Sequence, residues 1–182
     1  RLIDFTLIEE CREGNLENFR KVVEASSPFA YSVAFKILGD EDRAKDVVQE
    51  TMVTIWKKIE KIETAAVYKT WLYRIVVNKC YDELRKVNKN PVILADEKTW
   101  NKLSDSISEN EDHRFSDSEL ALIISKLTEK LSPRQKAVFV LSELEEMTHD
   151  EIAEITGMNK TVIKANLYYA RKSFKEMLSK YL

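Results

Sequence analysis

Three patterns along this chain have the residue types and spacing to do chemistry, two of them suited to nucleic acid and one to a basic partner helix, and none has the form of a bond-making site. The first lies at the C-terminal end. Thr148 followed by Glu151 has the form of a capping box, in which a hydroxyl and a carboxylate satisfy the free amides of a helix start. Gly157 suits the left-handed residue that ends a helix, and Asn159 is a good cap for the next. The spacing predicts a short helix over 149–156, a tight turn, and a second helix from Lys160 onward: a helix-turn-helix. In the second helix Ile163, Leu167, Ala170 and Phe174 recur at helical spacing and should face inward. That leaves Lys160, Thr161, Lys164, Tyr168 and Arg171 outside, with Ala165 beside Lys164. From Thr156 to Leu182 six Lys or Arg oppose one Glu, a local charge of +5. Cations for phosphate and short side chains for base edges, on a helix after a tight turn, suit a reader of the major groove. An ordinary helical hairpin with solvated lysines shares the same pattern.

The second pattern interleaves aromatic and basic residues. Tyr68, Trp71, Tyr73 and Tyr81 stand among Lys69, Arg74, Lys79, Arg85 and Lys86, with Asn78 between them. Exposed rings and guanidinium groups suit unstacked single-stranded bases, each stack contributing about 1–3 kcal/mol. A tryptophan on an amphipathic helix also suits a core. The third pattern is Asp46, Gln49, Glu50 and Val53, which share one helix face, while Ala44, Val48, Met52, Ile55 and Ile59 make a buried stripe on another. Carboxylate, amide and carboxylate beside an apolar residue could dock on a basic partner helix, or simply be solvated.

The elements that must position these groups are helices. Three Gly and three Pro in 182 residues, with 33% charged and 44% apolar side chains, indicate an all-α protein with ample core. Residues 1–90 read as a first small helical domain. Asp4 can cap a helix ended by Gly14, and Asn15 can cap a second, lined by Leu16, Phe19, Val22 and Val23. Ser27–Pro28 has the cap-then-proline form of a third helix start, stopped by Gly39. Asp40 opens a helix reaching about Ile59, and another runs from about Ala66 to Lys89. Residues 91–117 lose periodicity. Seven acidic residues against three basic ones give this stretch a charge of −4, the composition of an extended, self-repelling linker. Residues 118–182 form a second helical domain, in which Ser132–Pro133 opens a helix to about Glu146 ahead of the helix-turn-helix.

Composition also excludes. Cys11 and Cys80 stand alone, and His113 and His149 fall in no ligand spacing, so neither a structural metal nor a disulfide framework is expected. No Gly-rich phosphate loop or nucleophile triad appears, so the expectation is a protein that is not an enzyme and holds no cofactor. No signal-peptide pattern and no apolar run of about 18 residues occurs, which makes a cytoplasmic protein the expectation. A net charge of −2 is unusual for a protein that binds DNA unaided.

Taken in order, Asp46-Val-Val-Gln-Glu50, Thr70-Trp-Leu-Tyr-Arg-Ile75 with Asn78, and a helix-turn-helix ending Leu167-Tyr-Tyr-Ala-Arg171 resemble a bacterial RNA polymerase sigma factor. Two blocks with nothing added resemble the extracytoplasmic-function group of the sigma-70 family. The resemblance runs from about Asp4 to Leu178. It implies that Asp46, Gln49 and Glu50 dock on the clamp helices of the polymerase largest subunit, with a second contact at the flap. It implies that Tyr68, Trp71, Arg74, Asn78, Lys79 and Arg85 capture the −10 element as melted strand. Lys160, Thr161, Lys164, Ala165, Tyr168 and Arg171 would read the −35 element as duplex. It implies core polymerase, promoter DNA and an anti-sigma protein as partners, and an acidic linker that threads toward the polymerase active site. Ile163–Asn166 carries fewer arginines than the family commonly has there, and Tyr169 stands where an arginine is common. A polymerase-independent helix-turn-helix regulator with an N-terminal sensing bundle remains the alternative.

Overall fold

A computed structural model describes residues 5–89 and 116–180, which form eight α-helices. The acidic linker lies outside the described residues. In the first block α1 spans Phe5–Arg12, α2 Leu16–Leu38, α3 Glu41–Lys58 and α4 Ala65–Lys89, with a 3₁₀ turn over Ile59–Lys61. In the second, α5 spans Asp117–Leu127, α6 Pro133–Phe139, α7 His149–Thr156 and α8 Lys160–Leu178. Helix α6 runs on into a π-helical turn, Val140–Leu144. It therefore ends earlier as an α-helix than its cap alone suggests. Glu146 then takes a positive φ of 54° before α7.

The helix starts follow local chemistry. The Asn15 carboxamide accepts from the amides of Glu17 and Asn18, and the Asp40 carboxylate accepts from Arg43. Ser116–Glu119, Ser132–Gln135 and Thr148–Glu151 are complete reciprocal capping boxes. Ser27–Pro28, by contrast, starts nothing: α2 is one helix of 23 residues with Pro28 inside it. A proline at a helix interior removes one hydrogen bond and costs roughly 3 kcal/mol. Here Val22, Ser26, Ala30, Val33, Ala34 and Ile37 form one unbroken buried stripe through the proline. Splitting the helix would expose that stripe at about 1.5–3 kcal/mol per large side chain, so continuity wins. Pro28 itself sits on the exposed side.

Helices α2, α3 and α4 pack together as a bundle, closed at one end by α1. The second block is not separate from it. One continuous core runs from Ile8 and Val22 through Leu72 and Val77 to Val138, Ile152 and Leu167. Helix α4 lies against α6 and α7, and α2 lies against α5. The described helices on either side of residues 90–115 thus share one core.

Candidate nucleic-acid interface

The helix-turn-helix takes its predicted form. Gly157 ends α7 at φ 73°, its amide donating to Ala153. Asn159 then caps α8 by accepting from Val162. Ile152 and Ile155 of α7 share the main core with Ile163 and Leu167 of α8, while Ala170 packs with Leu131 and Phe139. Lys160, Thr161, Lys164, Ala165, Tyr168 and Arg171 are all exposed along one side of α8. Two of these cations are already paired. The Lys160 ammonium lies 2.6 Å from the Asp150 carboxylate, and Arg171 donates through Nε and Nη2 to one Glu143 oxygen at 3.1 and 2.7 Å. Lys164 makes no ion pair among the described residues. Tyr168 and Tyr169 are 63% and 58% exposed and meet edge to face, a large aromatic surface left in solvent.

Helix α4 divides its predicted set. Tyr68 is corrected from a surface role to a core one. It is 1% exposed, and its hydroxyl lies 2.7 Å from the buried Ser26 hydroxyl. Burial pushes its pKa up to about 12. Trp71 packs partly against the core, edge-on to Tyr68 at 6.4 Å, and keeps part of its ring outside. Asn78 is exposed. Lys79 pairs with Glu50 of α3 at 3.0 Å, so the second and third patterns touch. Arg85 reaches Asp82 on its own helix at 3.5 Å. Arg74 reaches furthest, donating to the backbone carbonyl of Glu154 in α7.

On α3 the third pattern is confirmed as a surface. Asp46, Gln49 and Glu50 are exposed, while Ala44, Val47, Thr51, Met52 and Ile55 are buried. One side of this ridge is charged, with Asp46 and Glu50 facing Lys79, Asp82, Arg85 and Lys86. The other side is apolar, a groove of about 790 Å³ between α2 and α3. Leu16 at 70% exposure, Val53 at 49% and Trp56 at 36% stand on it, with Phe19 against the Trp56 ring at 4.6 Å. The expected burial of Leu16 is therefore overturned: it stands exposed on the lining of this groove. An exposed apolar patch of this kind marks an interaction surface. Trp56 was readable in principle: Gln49, Val53 and Trp56 follow i, i+4, i+7 on one face. Leu16 and Phe19 carry no such signal, because their spacing equally suits a core.

Cys11 and Cys80 are buried and unpaired, and burial raises both thiol pKa values. No cluster that could hold a metal ion occurs among the described residues. No described helix is long and apolar enough to cross a membrane.

A family model for sigma-70 region 2 matches residues 22–90, and one for sigma-70 region 4 matches residues 121–174. The chain belongs to the sigma-70 family of RNA polymerase sigma factors. RNA polymerase sigma factor SigV of Bacillus subtilis (strain 168) is 33% identical over 150 residues, covering 82% of this chain and 84% of that protein. The ECF RNA polymerase sigma factor SigW of the same organism is 24% identical over 177 residues, covering 94% of each. Among solved structures, CnrH in complex with the cytosolic domain of CnrY superposes with a TM-score of 0.66 at 21% identity, covering 96% of each chain. Sigma factor RpoE of Bartonella quintana, solved with the anti-sigma factor NepR, gives 0.64 at 22%, covering 90% of this chain and 98% of that one. The helix-turn-helix thus belongs to a polymerase-dependent sigma factor of the extracytoplasmic-function kind, serving transcription initiation. The regulator reading gives way to it.

Proposed function

We propose that this sigma factor docks on core polymerase through the outer face of α3, reads melted promoter strand with α4, and reads duplex with α8. The observation that carries the docking role is the exposed Asp46–Gln49–Glu50 ridge continuing into the apolar groove at Val53 and Trp56. A partner helix presenting cations beside apolar residues, as the polymerase clamp would, matches that ridge. Trp71, Arg74, Asn78, Lys79 and Arg85 supply one partly exposed ring, three cations and an amide for unstacked bases. Tyr68 is left out of this set. Lys160, Thr161, Lys164, Ala165, Tyr168 and Arg171 form the duplex-reading side, with the flap of polymerase as second anchor for the C-terminal block. Its cations position on phosphate while the short side chains and Tyr168 meet base edges. The net charge of −2 supports a factor that binds DNA well only when held by polymerase.

The chain supplies no reacting group of its own in this reading; it acts in the cytoplasm, by positioning polymerase and stabilising opened DNA. An anti-sigma protein is the further partner, and the α2–α3 groove beside the docking ridge is the surface it would cover. The structural likeness to a sigma factor held by an anti-sigma factor supports this. The test is co-elution with core polymerase and run-off transcription. Glu50→Lys, which places a cation beside Lys79, should weaken co-elution at least tenfold. Retention at the parental level would refute the docking role.

A further inference from the structure

We propose that α8 selects its duplex by thymine methyl groups, gripped by an apolar edge of Val162, Ala165 and Tyr169 with Tyr168 beside it. The inference rests on the duplex-reading role proposed above for α8 and adds Val162 and Tyr169 to it. The exposed side of this helix has two edges. Lys160, Lys164 and Arg171 fall on one of them by helical periodicity. Val162, Ala165 and Tyr169, at i, i+3 and i+7, fall on the other, and Thr161 and Tyr168 stand between the two. All of these side chains are exposed.

Most groups on α8 that could read a base by hydrogen bonds are already engaged. The Asp150 carboxylate holds Lys160, and the Glu143 carboxylate holds Arg171. An asparagine reads adenine by donating from its amide nitrogen and accepting at its oxygen. The Asn166 amide nitrogen instead donates to the Val162 carbonyl of its own helix at 2.9 Å. Thr161 and Lys164 remain for polar readout. The apolar edge is the larger surface left to be covered. Val162 is 36% exposed, and Tyr168 and Tyr169 meet at 5.4 Å with their planes 76° apart, so the two rings form one aromatic corner. A contiguous apolar surface in solvent marks a contact. In the major groove the apolar feature of a base pair is the C5-methyl of thymine. With the cationic edge on phosphate, the Val162–Tyr169 edge would turn toward the bases and cover such methyls. Each methyl buried corresponds to about fourfold in affinity.

The experiment removes the methyls and nothing else. Fragments that the full chain transcribes with core polymerase are selected from a genomic library, and their starts are mapped. They should share thymines in the duplex upstream of the melted segment; selected fragments without a shared thymine there would overturn the proposal. One fragment is then rebuilt with deoxyuridine for thymidine in that upstream duplex only. Uracil keeps every hydrogen-bonding group of thymine and lacks the methyl. Initiation by the parent chain should fall about fourfold for each methyl the edge covers. Equal initiation on the two templates would overturn the methyl reading. Val162→Ser with Tyr169→Ser changes only exposed side chains and should keep the parental melting temperature. This variant should initiate poorly on both templates and respond little to the loss of the methyls. A variant that still loses as much as the parent on the uracil template would overturn the assignment, because the methyls would then be felt elsewhere. Lys164→Glu on the thymine template separates the two ideas. Parental initiation would sink the duplex-reading role, and the methyl reading with it. Reduced initiation, together with a parent indifferent to uracil, would sink the methyl reading alone.

Discussion

Lys136 offers the sharpest stability prediction. It lies in α6 and is 5% exposed, between Ala137 and Val138 of the shared core and Arg43 of α3. Burial, then the like charge of Arg43, pulls its pKa from 10.5 down to about 8; Glu129 opposes this only in part. Glu129 is itself engaged by Lys126 at 2.9 Å. Each pKa unit is about 1.4 kcal/mol, so keeping Lys136 charged in the folded chain at pH 7 costs about 3 kcal/mol. The folded pKa lies below the unfolded one, so this cost is complete below about pH 8 and fades as pH rises toward 10.5. Near pH 9.5 about 1.4 kcal/mol remains by the same linkage. Lys136→Met keeps the aliphatic stem and removes the charge. The variant should melt roughly 6–12 °C above the parent at pH 7, given about 2–4 °C per kcal/mol for a chain of this size. The gap should roughly halve at pH 9.5. Because the parent and the variant share every other titrating group, their difference isolates Lys136. Urea titrations followed by circular dichroism at the two pH values supply the free energies. A variant no more stable than the parent at pH 7, or a gap indifferent to pH, would refute the reasoning.

Three further outcomes follow from single contacts. Tyr68→Phe leaves the buried Ser26 hydroxyl without its 2.7 Å partner and should cost about 1 kcal/mol, whereas Tyr81→Phe should cost nothing, because the buried Tyr81 hydroxyl has no hydrogen-bond partner among the described residues; denaturant midpoints compare them. Gly157→Ala meets no atom within 4 Å but must hold φ +73°, so it should lower stability by about 1 kcal/mol through backbone strain alone, read by thermal melting. Trp56→Glu puts a charge into the α2–α3 groove and should weaken polymerase co-elution while leaving the melting temperature within a few degrees, since Trp56 is already 36% exposed. Undiminished co-elution would remove the groove from the docking surface.

The sequence by itself determined the helices and most of their ends. Thr148 with Glu151, Ser132 with Pro133, Asn159 and Gly157 act through hydrogen bonds and dihedral preferences that reach no further than four residues, so they are legible without any partner. The exposed sides of α3 and α8 were legible for a related reason. Asp46, Gln49 and Glu50, like Lys160, Lys164 and Arg171, are too costly to bury unpaired, so their spacing names a surface. Tertiary structure alone decided what apolar and amphipathic residues do. Ser27–Pro28 looks like a helix start until the stripe from Val22 to Ile37 is seen buried on both sides of it. Tyr68 and Trp71 have similar composition and neighbours, yet only Tyr68 finds a buried hydroxyl, Ser26, 42 positions away in sequence. Leu16 stays bare because no described residue covers it, and Lys136 is buried where α6 packs against α4 with Arg43 close by. Each depends on a surface contributed from a distant part of the chain, and so does the meeting of Arg74 with the end of α7. Local patterns mark the outer sides of α3 and α8 as surfaces; only the shared core shows that α4 lies against α7.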